Sequence, residues 1–168
     1  ATVDIALKAS LTGHLVFSTL HTNDAPSSIT RLQNMGTPNY LISAALSLIM
    51  AQRLARKNCS ECRERDENVT PKLLNSIGFL PEQSARAKIY KGKGCDQCSN
   101  TGYKGRMGVY EILEIDRELK QGILSDLSQA ELNGIAKKNG FRTMQEMGHD
   151  LLLSGDLSFS EFERVLQS

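Results

Sequence analysis

The fold is read from Gly13-His14-Leu15-Val16-Phe17-Ser18-Thr19-Leu20-His21-Thr22-Asn23-Asp24-Ala25. Leu15, Val16 and Phe17 are a continuous apolar run, the pattern of a strand covered on both faces in a parallel sheet. Ser18, Thr19, Leu20 and His21 end the run, and Thr22, Asn23 and Asp24 offer N-caps for a following helix. Hydroxyls and an imidazole therefore fall at the strand's carboxyl end, where open α/β sheets place their ligands. On spacing alone, the favoured reading of His14 and His21 is as satisfied polar groups at the two ends of a core strand.

Working outward, Asp4 to Leu11 suits a short helix closed by Gly13. Pro26 to Met35 suits a second, with Pro26 in its first turn and Ile29, Leu32 and Met35 spaced three apart. Pro38 to Lys57 is expected to be one long helix, with Leu41, Ile42, Ala45, Leu46, Ile49 and Met50 on its apolar face. Arg53 and Arg56 would then be solvated cations near a helix end, where they suit the dipole.

The only four cysteines form two pairs, Cys59-x-x-Cys62 and Cys95-x-x-Cys98. Each spacing lets two thiolates converge on one ion, and two pairs complete a tetrahedral sulfur shell, as in structural zinc sites. Two disulfides or a redox motif are the rival readings. The absence of a leader-like start disfavours the first, and no βαβ pattern surrounds either pair to favour the second. Four protein sulfurs leave no open position for water, so zinc would contribute folding energy, not catalysis.

Between the pairs, Pro71 to Gly78 reads as a short helix and Lys88 to Tyr90 as a short strand. Val109 to Ile115 reads as another strand. Beyond Asp116 the pattern is helical: Arg117 to Leu124, then capping-box signatures at Ser128/Glu131 and Thr143/Glu146, and a last start at Ser158/Glu161. Glu146, Glu161 and Glu163 are expected to be caps or surface charges, and His149 a helix-surface residue. Three blocks follow: 1–57 as core, 58–116 as the cysteine module and 117–168 as a helical tail.

Thr12 to Ala25 resembles the histidine box of the type II/IV secretion ATPases, hexameric motors with a RecA-type P-loop fold. Ala51 to Cys62 and Gly94 to Glu111 resemble the same family, and Asn34-Met35-Gly36 leans toward its pilus-extension branch. The resemblance implies an α/β chain: part of a RecA-type ATPase sheet, a tetracysteine zinc module and a C-terminal helical bundle. It further implies that His14 and His21 serve catalysis, and that His21 with Thr19 faces the nucleotide. ATP and Mg would be cofactors of the longer protein, which would form a homohexamer. An inner-membrane platform protein of a pilus or secretion machine would be its partner. The location implied is cytoplasmic, peripheral to that membrane.

No Gly-x-x-x-x-Gly-Lys-Ser/Thr phosphate cradle occurs in the 168 residues. With Ala1 in place of a methionine, the sequence is expected to be an internal or C-terminal segment with little ATPase activity alone. Type II secretion is the alternative within the family. Outside it, a zinc-ribbon nucleic-acid module would use Arg53, Arg56, Lys57, Arg63 and Arg65. A net charge of only +1, acidic neighbours and no stacking aromatics beside those residues speak against nucleic acid.

Overall fold

The structure is a computed structural model and describes residues 2–167. In chain order its elements are α1 (Thr2–Leu11), α2 (Ser27–Asn34), α3 (Asn39–Ala45), β1 (Leu48–Asn58), β2 (Arg63–Arg65), α4 (Pro71–Ser76) and α5 (Pro81–Arg86). There follow β3 (Tyr90–Gly92), a 3-10 turn (Asp96–Cys98), β4 (Tyr103–Glu114), α6 (Arg117–Leu124), α7 (Gln129–Lys138), α8 (Met144–Ser154) and α9 (Phe159–Leu166). The strands form two two-stranded sheets, β1 with β4 and β2 with β3. No helix among the described residues is long and apolar enough to cross a membrane.

The chain divides into two units, 1–51 with 111–142 and 52–110 with 143–168. These are not the consecutive blocks 1–57, 58–116 and 117–168. The chain passes between units inside β1 and again inside β4, because each long strand contributes its two ends to different cores.

The first unit is held by the inward stripes of α2, α3, α6 and α7. Ile29 and Leu32 of α2, Ile42 of α3, Leu119 and Ile123 of α6, and Leu132 and Ala136 of α7 are buried together with Leu113 and Ile115. Their i, i+3/i+4 spacing places each pair on one helix face. The buried Glu111 accepts a hydrogen bond from the Ala25 N–H, which fixes the start of α2 to β4.

In the second unit, Ala55 of β1, Val109 of β4, Leu152 of α8, Leu157 after it, and Phe159, Phe162 and Val165 of α9 are buried. The helices begin where the capping signatures expected: Ser128 and Glu131 bond reciprocally at 2.8 and 3.4 Å. Thr143 and Glu146 do so at 2.7 and 3.3 Å.

Two expectations fail. Residues 14–20 lie outside every strand, and Leu15 and Phe17 are 84% and 87% exposed. A strand exists through its ladder partner, and no described segment pairs with this run. The helix expected over 38–57 ends at Ala45, and the chain then extends into β1. Along β1 the side chains of Ile49, Ala51, Arg53 and Ala55 turn inward while Leu48, Met50, Gln52 and Leu54 turn out. That is a period of two, enforced by pairing with β4.

Candidate functional site

Two places hold the candidate residues, one in each unit. In the second unit, β2 begins immediately after Cys62 and β3 ends shortly before Cys95. Their antiparallel register pairs Arg63 with Gly92, Glu64 with Lys91 and Arg65 with Tyr90. The pairing brings the two cysteine pairs face to face although 36 positions separate partners. The Lys93 N–H extends the ladder to the Cys62 carbonyl at 3.0 Å.

Close backbone approach completes the centre. A Cβ on Gly92 would lie 1.9 Å from the Gly102 carbonyl oxygen, so only glycine fits there. The Cys59 N–H donates to that carbonyl at 2.9 Å. After the second pair, Ser99 and Asn100 adopt left-handed backbone, which lets the Asn100 N–H return to the Cys95 carbonyl at 2.9 Å.

All four Sγ atoms lie within 4.8 Å of one another. Cys59–Cys95, Cys62–Cys98 and Cys95–Cys98 are separated by 3.9, 3.8 and 3.8 Å. All four are free thiols, so the disulfide alternative does not hold. A tetrahedron with metal–sulfur bonds of ~2.3 Å has edges of about 3.8 Å, so the donor set could hold a metal ion.

The backbone prepares the sulfurs for charge. N–H groups of Gly94, Cys95 and Gly102 donate to Cys62, Cys98 and Cys98 at 3.3, 3.2 and 3.3 Å. At Cys98 burial pushes the thiol up, but the N–H groups of Cys95 and Gly102 outweigh it and bring the pKa to about 6. Burial pushes Cys62 up to about 12 and raises Cys95 as well.

In the first unit, His21 lies on the loop before α2 and lines a pocket of about 330 Å³. His14 and Thr19 do not line that pocket and are exposed. His14 Nδ1 meets the Thr12 hydroxyl at 2.9 Å. The residues of the box are therefore spread along an open loop, and the pocket gathers only His21 among the three.

A family model described as type II/IV secretion system protein matches residues 1–164. The chain belongs to this family. It is 41% identical over 160 residues to the type IV pilus assembly ATPase PilB of Thermus thermophilus, covering 95% of this chain and 18% of that protein. Against PilB of Pseudomonas aeruginosa the identity is 42% over 164 residues, 98% of this chain and 29% of that one. Type II secretion system protein E of Aeromonas hydrophila is 37% identical over 165 residues, 98% of this chain and 32% of that one. The chain thus spans less than a third of the length of these relatives.

In this family member, three residues expected to be bland are structural. Glu161 is fully buried and accepts from the Arg56 Nε and Nη2 at 2.9 and 2.7 Å, and from the Arg164 Nε at 2.9 Å. Arg56 also stacks over the Tyr103 ring at 4.1 Å. It is not a solvated helix-end cation, because β1 carries it alongside α9. His149 packs against Phe79 and Phe162, ring centroids 4.4 and 5.6 Å away, with Nε2 2.9 Å from the Ile77 carbonyl oxygen. It is a half-buried clamp, not a helix-surface residue. Sequence reasoning also missed α5, although Pro81 at its first turn and Glu82 beside it are start signals.

Proposed function

We propose that these residues form the C-terminal part of a motor ATPase that drives type IV pilus assembly. The observation that carries this is the identity of 41–42% to proteins named type IV pilus assembly ATPase, over 95–98% of the chain. The lower identity of 37% to a type II secretion relative favours the pilus branch. In the longer protein, the P-loop absent from this sequence would hold ATP and Mg. The exposed Leu15–Phe17 run would then be a strand of a RecA-type sheet, and the protein would work as a homohexamer. His21 would face the phosphate end, with Thr19 beside it and His14 at the far end of the strand. Its partner would be an inner-membrane platform protein, which would place the motor in the cytoplasm against that membrane.

The thiolate cluster fits zinc, on the strength of the sulfur separations near 3.8 Å. Cys59, Cys62, Cys95 and Cys98 would hold it. Bound zinc would supply structural cross-linking there, with every coordination position filled by protein. The chain's own contribution is to aim three N–H groups at the sulfurs and neutralise part of their charge.

The test is His21→Ala in the longer protein. Turnover is expected to fall at least ten-fold, with melting temperature and zinc content unchanged. Wild-type ATPase rates in that variant would overturn the assignment of His21.

A further inference from the structure

The pocket at His21 has a second face. Ser27, Thr30, Arg31 and Asn34 line it, and their i, i+3, i+4, i+7 spacing places all four on one side of α2. The opposite side of the helix is anchored in the core through Ser28, Ile29 and Leu32. The lining face therefore has a fixed orientation. The loop residues His21, Asn23 and Asp24 and the start of α7 at Gln129 form the remaining wall.

Two formal charges stand on this wall. The Asp24 carboxylate is committed to the helix start: its Oδ1 accepts from the Ser27 N–H at 2.7 Å. The Arg31 guanidinium has no hydrogen-bond or ion-pair partner among the described residues. It is exposed on the pocket that carries the exposed His21 imidazole. A guanidinium is a planar fork of donors that matches phosphate oxygens two at a time and is charged at every physiological pH. A pocket of about 330 Å³ falls within the size range of small-ligand sites, roughly 300–1,000 Å³.

We propose that Arg31 is a phosphate-contacting residue of this pocket, holding the anionic end of a nucleotide together with His21. The inference rests on the reading of His21 given above. The imidazole would approach the phosphates from the loop, and the guanidinium from the face of α2. The amide and hydroxyl groups of Asn34 and Thr30 are neutral neighbours on that face. Arg31 thus supplies the one fixed positive charge on the pocket wall.

The experiment uses the longer protein and measures displacement of a bound fluorescent ATP analogue by two probes, pyrophosphate and adenosine. Arg31→Ala is expected to weaken pyrophosphate competition at least ten-fold and leave adenosine competition within two-fold of wild type. Unchanged pyrophosphate competition overturns the proposal. An equal loss for both probes does so too, because that is the signature of a damaged fold. His21→Ala is run in parallel. If it weakens pyrophosphate and Arg31→Ala does not, Arg31 alone is excluded. If His21→Ala leaves pyrophosphate competition unchanged, the placement of His21 at the phosphate end falls, and the Arg31 proposal falls with it.

Discussion

Glu161 and Arg56 are joined twice, through side chain and backbone: the carboxylate takes two guanidinium bonds and also the Arg56 N–H at 2.7 Å. Burial pushes the carboxyl pKa up, but the hydrogen bonds from Arg164 and Arg56 outweigh it and hold the pKa at about 2, below the ordinary 4.5. The folded state thus favours the ionised form. Its contribution to stability is present in full above pH 4.5 and is lost as pH falls toward 2. That contribution is on the order of 3 kcal/mol. Glu161→Gln is expected to lower the melting temperature at pH 7 and to flatten its decline between pH 4.5 and 2.5. Thermal melts of both proteins across that range are the measurement. A variant as acid-sensitive as wild type would mean that the pair is not the source.

Gly92→Ala places a methyl group against the Gly102 carbonyl. The strand must move, and with it the Gly102 contacts to Cys59 and Cys98. The cost is expected to be about 1–3 kcal/mol or more, and if the four cysteines hold zinc as proposed, the metal content read by elemental analysis should fall below that of wild type. A chelator at neutral pH should reproduce the loss in wild type. Full metal content and an unchanged melting temperature in the variant would contradict the close approach.

His149→Ala removes a ring packed on Phe79 and Phe162 and leaves the Ile77 carbonyl without its imidazole. The expected loss is about 1–3 kcal/mol. Amide hydrogen exchange should quicken across 71–79, the segment pinned by that contact, more than across α9.

Phe17→Ser should leave the stability of the 168-residue chain within about 0.5 kcal/mol, because the ring is exposed. Thermal melts of both proteins are the measurement. A large drop in melting temperature would show that the ring is packed in solution.

The convergence of the four cysteines was legible because it is local: a Cys-x-x-Cys spacing positions two sulfurs with little help from the remaining fold. The helix starts at Ser128 and Thr143 were legible for the same reason. Strand β1 was not. No glycine or proline punctuates 39–58, and Leu46, Ile49 and Met50 satisfy a helical face as readily as an alternating strand until β4 is there to pair. Glu161 was misread because a cap and a buried ion pair share one signature, Ser-x-x-Glu. Only the fold brings Arg56 to it. Leu15 to Phe17 illustrate the converse: the composition of a strand is present, but no described segment pairs with it.

The interleaved path of the chain bears on how it matures. The second unit takes α8 and α9 from beyond Thr143, whereas its four thiols are translated much earlier. During synthesis both cysteine knuckles leave the ribosome before the helices that buttress them. An ion held by the four sulfurs, as proposed above, would be captured before that unit closes, and a shortage of metal would then be felt by the nascent polypeptide before α8 and α9 are made.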